Sequence, residues 1–337
     1  MKVLIAGGAG FIGSTIASCL LDAGHHPVIL DNLVTGRREF CAGRSFYEGD
    51  IADPAVLDRI FADHPDIEAV VHCAALIVVP ESVEHPIRYY RENVSKTLEL
   101  VDRLIGKGVT RFVFSSSASI YEPGEDFSVH EDSAVSAQSP YARTKLVVEQ
   151  MLTDIAASTP LRVLSLRYFN PIGADPKMRT GLQLPAPSHA LGKLVAAYHA
   201  GQPFPVTGLD YPTRDGSGIR DYVHVWDLAG AHLRAVEVFD TLFTDESRYQ
   251  VINLGTGTGT TVLEFVEAFN QVVDTPVEVQ AAPRRPGDSV GAYTRSTRAA
   301  DLLGWRAEHT VADGIRDSLA WVQQRDRVLP DLDRGQR

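Results

Sequence analysis

The chain has 337 residues, a formal net charge of −11 and an isoelectric point near 5.5. That length buries a large core in one large or two closely joined domains, and the acidic balance excludes a broad basic surface for nucleic acid. No apolar run reaches membrane-spanning length, no His or Cys pattern has metal-ligand spacing, and Cys19, Cys41 and Cys73 sit among apolar neighbours, as thiols of a reducing compartment do.

Lys2-Val3-Leu4-Ile5-Ala6 is a short apolar run rich in β-branched residues, as in a buried parallel strand. It starts at residue 2 and leaves no room for a leader, so a cytoplasmic protein is expected. Gly7, Gly10 and Gly13 follow with two-residue gaps, and residues 12–23 read as a helix ending at Gly24. Such a loop permits a tight turn, close approach of backbone to a pyrophosphate, and close helix–strand packing, with the anion on the helix N-terminus. A second strand, Pro27-Val28-Ile29-Leu30, ends at Asp31. A carboxylate there accepts both ribose hydroxyls of an adenosine and repels a 2′-phosphate, so the expected ligand is NAD rather than NADP. Asp50-Ile51, after the strand-like Phe46-Tyr47-Glu48, is the expected edge for the adenine.

Further strands are predicted at 69–72, 112–114 and 161–166, separated by helices near 54–63, 87–105 and 141–157. In the last helix Val148, Met151, Leu152 and Ile155 form an apolar stripe for core or subunit interface. The alternation predicts a parallel sheet with helices on both faces. After Asn170 the pattern loosens, with helices expected near 190–200, 222–239 and 262–273 and a charged turn at 283–288. The cofactor half is therefore placed at 1–170 with 221–256 crossing back, and the substrate half at 171–220 and 257–337.

The segment Ser139-Pro140-Tyr141-Ala142-Arg143-Thr144-Lys145 opens the helix near 141–157. Ser139 can cap it and Pro140 suits its first turn. Tyr141 and Lys145 then share a face one turn apart. An ammonium beside a phenol favours the phenolate, which makes the pair a proton acceptor and donor near neutral pH. A Tyr–Lys pair at this spacing is most often surface decoration; beside a dinucleotide loop it reads as chemistry.

Taken together, Gly7–Gly13, Asp31-Asn32, Gly49-Asp50-Ile51, the run 89–93, Ser115-Ser116-Ser117 with 118–121, Tyr141–Lys145, the run 167–171, the long run 210–224 and Ala282–Asp288 resemble the UDP-glucose 4-epimerase family of the extended short-chain dehydrogenase/reductases. The run 210–224 is the most specific of these. The resemblance implies a Rossmann-type α/β fold, a doubly wound parallel sheet with a smaller C-terminal substrate-binding α/β domain. It implies NAD held by Gly7, Gly10, Phe11, Ile12, Gly13, Asp31, Asn32, Asp50, Ile51, Ala74, Asn93, Tyr141, Lys145 and Tyr168. Ser117, Tyr141 and Lys145 would be catalytic, and Ser117, Asn170, Thr207, Arg220, Arg285, Asp288 and Ala292 would meet a UDP-sugar. A homodimer packing two helices per subunit, 90–105 and 141–157, is implied as well, with no metal, nucleic acid or membrane partner.

Several positions refine that resemblance. Related dehydratases and decarboxylases carry acids just after the catalytic hydroxyl; Ala118-Ser119 offers none, which favours simple epimerisation. Ile77 replaces a lysine common in the family's glucose enzymes, and Thr207 replaces an aromatic common at the uracil edge. Ala292 stands at a gate that is often bulky, leaving room for an N-acetyl group at C2. Lys177 and Arg179 could face a uronic acid carboxylate, which keeps UDP-glucuronate 4-epimerisation as an alternative, although solvated loop charges explain them more simply. A non-catalytic dinucleotide-sensing scaffold is the other alternative; such proteins commonly lose the tyrosine–lysine pair that this chain keeps.

Overall fold

The computed structural model describes residues 1–184, 189–244, 247–284 and 289–330. Strand β1 (Lys2–Ala6), buried beyond its first residues, runs into helix α1 (Phe11–Asp22), followed by β2 (His26–Asp31) and β3 (Ser45–Glu48). Helix α2 (Pro54–Asp63) starts where the Asp53 carboxylate accepts from the Ala55 N–H and Pro54 takes the first turn. Strand β4 (Ile67–His72) leads to the short helices α3 (Val79–Glu84) and α4 (Pro86–Tyr90) and to α5 (Lys96–Gly106). The predicted continuous helix over 87–105 is interrupted by a π-helical turn at Arg91–Ser95, where the buried Asn93 side chain is drawn inward.

Next come β5 (Arg111–Ser117), the short β6 (Ser128–Val129), α6 (Pro140–Ser158) and β7 (Arg162–Tyr168). Ser139 caps α6 by accepting from the Ala142 N–H at 3.1 Å. Of the predicted stripe, Val148 and Leu152 are fully buried against the sheet and Met151 and Ile155 partly so, which makes it core. The chain continues through β8 (Asn170–Ile172), α7 (Ala190–Ala200), β9 (Phe204–Thr207), β10 (Ile219–Arg220) and β11 (Tyr222–His224). Tyr222–His224 is thus extended rather than helical: it pairs in parallel with β8, and the His224 ring accepts from the Trp226 N–H to start α8 (Val225–Glu237). The last elements are β12 (Tyr249–Leu254), β13 (Thr260–Thr261), α9 (Val262–Asn270), β14 (Val279–Ala282), β15 (Tyr293–Thr294), α10 (Arg298–Leu303) and α11 (Val311–Val328).

Seven strands form one parallel sheet in the order β12-β7-β5-β4-β1-β2-β3. One face carries Ile16 and Leu20 of α1 with Leu228 and Ala235 of α8; the other carries Leu57 of α2, Leu100 and Leu104 of α5, and Val148 of α6. Strand order reverses between β1 and β4, and ligands of open α/β sheets bind in the crevice at such a switch point. A separate core of Val195, Phe204, Phe265, Phe269 and Ile315 holds α7, α9, α11 and the β9–β14 pair together.

Candidate active site

The glycine loop leaves β1 at the switch point. Gly7 has φ +83°, and a Cβ there would lie 2.5 Å from the Ala74 backbone nitrogen, so β4's following loop packs directly on it. A Cβ on Gly13 would lie 2.2 Å from the Gly7 carbonyl oxygen: this residue lets α1 close on β1. Gly10 meets nothing nearer than that same oxygen at 3.6 Å, so the space beside it is open. Helix α1, which begins with Phe11 and Ile12, has no side-chain cap and no acid in its first turn, leaving its N-terminal field available to an anion.

Asp31 closes the other side. Its Oδ2 accepts from the Ala9 N–H at 2.9 Å and its Oδ1 from the Leu33 N–H at 2.8 Å. The carboxylate thereby shapes the loop and keeps one acceptor position per oxygen for a ribose diol. Burial pushes its pKa up against the pull of those two amides. Asp50 accepts from the Ala52 N–H and from Asn32, and Lys96 donates to it at 2.6 Å and to Glu92 at 2.7 Å; together these contacts hold the Asp50 carboxyl below the usual range despite burial. Ile51 is buried with Leu57 and Ile60. Asn93 spends its amide inside the protein: it accepts from the Leu76 N–H and donates to the Leu76 carbonyl and to Thr144 Oγ1. It therefore ties the loop after β4 to the helix that carries Tyr141.

Tyr141 lies beside Ser117, whose Oγ donates to Ser119 Oγ at 2.9 Å. Burial pushes the Tyr141 phenol up, and the neighbouring Ser117 hydroxyl only partly opposes it. Lys145, only 5% exposed, donates its ammonium to the Ser115 carbonyl at 2.8 Å and lies over the Phe114 ring. Burial lowers its pKa to about 8. The spacing predicts an ammonium beside the phenol; the structure turns it toward the strand instead, because the Ser115 carbonyl is the acceptor within reach. Tyr168 lies beside Ser115, whose hydroxyl donates to Cys73 Sγ at 3.2 Å. Ser115 and Ser119 lie within a recognised run that assigns them no role, and Lys96 carries no motif signal; only the i, i+4 spacing of Glu92 and Lys96 hints at their pair.

Opposite this cluster, the Asn170 N–H donates to the Asp221 carbonyl at 3.0 Å, and Thr207 ends β9 opposite Ala282. Arg220 Nη1 donates to the carbonyls of Ile219 and Val290, each at 2.7 Å, and Nη2 to that of Ser289. Gly291, at φ +102°, passes so close that a Cβ would lie 2.0 Å from this guanidinium. Arg220 thus braces the segment leading to Ala292. Ala292 packs with Ala118 and Phe169 on Ile120, Tyr121 and Val129, next to the Ser117 end of β5. Arg285 and Asp288 lie outside the described residues. Among the described residues no group of three or more His, Cys, Asp or Glu could hold a metal ion, and no helix is long and apolar enough to cross a membrane.

The profile of the NAD dependent epimerase/dehydratase family matches residues 3–255. The chain belongs to that family. A UDP-glucose 4-epimerase of Rhizobium leguminosarum bv. trifolii is 42% identical over 320 residues, covering 95% of this chain and 96% of its own. The crystal structure of UDP-glucose-4-epimerase from Stenotrophomonas maltophila, with bound NAD and formylated UDP-arabinopyranose, superposes with a TM-score of 0.90 at 37% identity, covering 97% of this chain and 99% of that one. That of Bifidobacterium longum UDP-glucose 4-epimerase, with NAD⁺ and UDP, gives 0.88 at 33%, covering 98% and 100%.

Within this epimerase/dehydratase frame the loop charges find their explanation. Arg179 donates to Asp22 at 2.8 and 2.9 Å and to Asp175, and Lys177 pairs with Asp22 at 3.0 Å. Asp22 ends α1, roughly 16 Å of helix away from the glycine loop. The pair secures the loop after β8 to α1, so these two cations are engaged with Asp22 and Asp175. Ile77 is largely exposed beside the cleft, where it offers no charge to a phosphate.

Proposed function

We propose that this protein is a nucleotide-sugar isomerase, an NAD-dependent UDP-hexose 4-epimerase that inverts C4 through a 4-keto intermediate. The observation that carries this is the adjacency of Ser117 at the end of β5 to Tyr141, with Lys145 one turn along α6 and held against the same strand. The cradle of Gly7, Gly10 and Gly13, the uncapped start of α1 and the free acceptor positions of Asp31 fit a dinucleotide. NAD, when bound there, supplies the redox chemistry at the sugar carbon. Tyr141 takes the C4 hydroxyl proton and returns it, Ser117 holds the C4 oxygen and passes the proton, and Lys145 orients the nicotinamide ribose. Inversion needs the 4-keto sugar to present its other face while its diphosphate stays fixed, the role assigned to Asn170, Arg220 and Arg285. Asp288 and Thr207 are assigned to the nucleoside, and Ala292 to the sugar's C2 side. Ala118-Ser119 provides no acid for elimination.

The substrates are UDP-glucose and UDP-galactose, with UDP-N-acetylhexosamines admitted past the methyl of Ala292. Residues 1–170 with 221–256 are assigned to the cofactor and 171–220 with 257–337 to the sugar nucleotide; β12 and α8 belonging to the first sheet layer supports that division. A cytoplasmic homodimer is the working form. Ile87 is 74% exposed, and with Tyr90 and Leu98 it lines one side of α4 and α5, beside α6, an apolar stripe suited to a second copy. The three free cysteines support a reducing compartment.

The test is proton NMR of the purified enzyme with UDP-glucose, UDP-N-acetylglucosamine and UDP-glucuronate in separate tubes, without added reductant. Galacto-configured product should grow to a constant ratio in the first two. With NAD confirmed bound, no conversion in any tube sinks the proposal.

A further inference from the structure

Side chains alternate along a strand, so at the end of β5 Ser115 and Ser117 face one side and Ser116 the other. Ser116 points at α6, where its hydroxyl donates to Glu149 Oε1 at 2.5 Å. Glu149 stands one turn beyond Lys145 and two beyond Tyr141 on the same helix. It is 3% exposed, and its carboxylate also receives a fork from Arg167, with Nε at 2.9 Å to Oε1 and Nη2 at 2.5 Å to Oε2. Arg167 precedes Tyr168 on β7 and donates from Nη1 to the Tyr121 hydroxyl and to the Glu131 carbonyl. Tyr121 in turn donates to Asn253 Oδ1 on β12. One buried carboxylate therefore touches α6, β5 and β7 directly and reaches β12 through two further bonds.

A buried ion pair of this kind adds little stability over a well-packed apolar replacement. What the arrangement adds, beyond the Lys145 bond to the Ser115 carbonyl, is a side-chain link from the helix bearing Tyr141 to the residue beside Ser117. A hydroxyl bond to a carboxylate is short and directional, so it fixes the strand end more tightly than apolar contact would. We infer that Glu149 is a positioning residue for the reaction: through Ser116 it fixes the end of β5 so that the Ser117 hydroxyl meets Tyr141. The inference rests on the catalytic roles proposed above for Ser117 and Tyr141.

Removing Glu149 itself would strand a buried guanidinium, so Ser116→Ala, which deletes only the strand-side bond, carries the test. Steady-state kinetics on the NAD-loaded enzyme would compare wild type, Ser116→Ala, Ser117→Ala and the double variant, with thermal melts confirming that each is folded. Small misplacements near reacting atoms cost on the order of 10–100-fold. Ser116→Ala should lower kcat about 10-fold with KM for the UDP-sugar within about twofold, and should cost less than about threefold once Ser117 is already alanine. An equal cost in both backgrounds, an unchanged kcat, or a loss confined to KM overturns the inference. The function reading fails separately, if Ser117→Ala and Tyr141→Phe both keep wild-type turnover.

Discussion

Lys145→Met should abolish epimerisation and yet stabilise the NAD-free protein at neutral pH. Burial lowers the Lys145 pKa from 10.5 to about 8. At ~1.4 kcal/mol per pKa unit, keeping the ammonium charged in the folded state at pH 7 costs about 3 kcal/mol. The Ser115 carbonyl bond is lost in the variant and offsets roughly 1 kcal/mol of the relief. A net gain of about 2 kcal/mol remains. Unfolding entropy of roughly 2.1 cal/mol/K per residue over a chain of this size converts that to a Tm rise of about 3 °C. The sign with pH follows from proton counting. The unfolded chain holds this proton up to about pH 10.5 and the folded chain only to about 8, so between those values the unfolded state binds more protons and wild-type stability climbs with pH. The advantage of the variant is therefore full below pH 8 and fades by about pH 10.5, above which the unfolded chain has lost the proton as well. Differential scanning calorimetry of NAD-free wild type and variant from pH 7 to 10, read as the difference so that other groups cancel, measures it. A variant less stable at pH 7, or a gap that does not shrink as pH rises, refutes the reasoning.

Gly13→Ala would place a methyl 2.2 Å from the Gly7 carbonyl, with Gly8 Cα also under 3 Å, so α1 must back away from β1; a loss of about 1–3 kcal/mol and of NAD retention is expected in melts and cofactor-release assays. A variant that melts and retains NAD like wild type would show that α1 does not close on the loop as described. Asp31→Asn should weaken NAD about 10-fold or more and lessen discrimination against NADP in calorimetric titrations of NAD-free protein, since a charge-assisted acceptor is lost; unchanged affinity removes Asp31 from the cofactor site. Ala292→Tyr should cut turnover of UDP-N-acetylglucosamine at least 10-fold more than that of UDP-glucose, measured by coupled assay; equal losses would dismiss Ala292 as a gate.

The sheet was legible because its strands are buried on both faces and so read as apolar runs: Lys2–Ala6 and the β2 and β4 runs needed no tertiary information. Among the elements that escaped, two show why. Tyr222–His224 lies directly against an amphipathic helix, and only pairing with β8 tells its three residues from a first helical turn. Strand β12 carries a plain apolar signal in Val251, Ile252 and Leu254, but its place at the sheet's far edge beside β7 follows from chain crossover and not from local pattern. Helix 87–105 was right in extent and wrong in winding, because the turn that breaks it is imposed by what Asn93 bonds across the cleft.

The candidate site divides along the same line. Gly7, Gly13, Asp31, Tyr141 and Lys145 were visible because their chemistry requires a residue type at a spacing set within one element or one turn. Lys96 and Glu149 were not, and Ser116 and Arg167 stood inside recognised runs without a role, since each gains meaning only from a partner on another element: Lys96 from Asp50, and Glu149 from a serine 33 positions earlier and an arginine 18 later. Even where the motif was legible its geometry was not. Tyr141 and Lys145 share a helix face as their spacing requires, but the ammonium is taken up by Ser115 on β5, and no spacing on α6 encodes what stands across from it. Motifs of this kind specify which groups can react; the groups that hold them in register are distributed over strands the motif does not include, and they are the ones a structure adds.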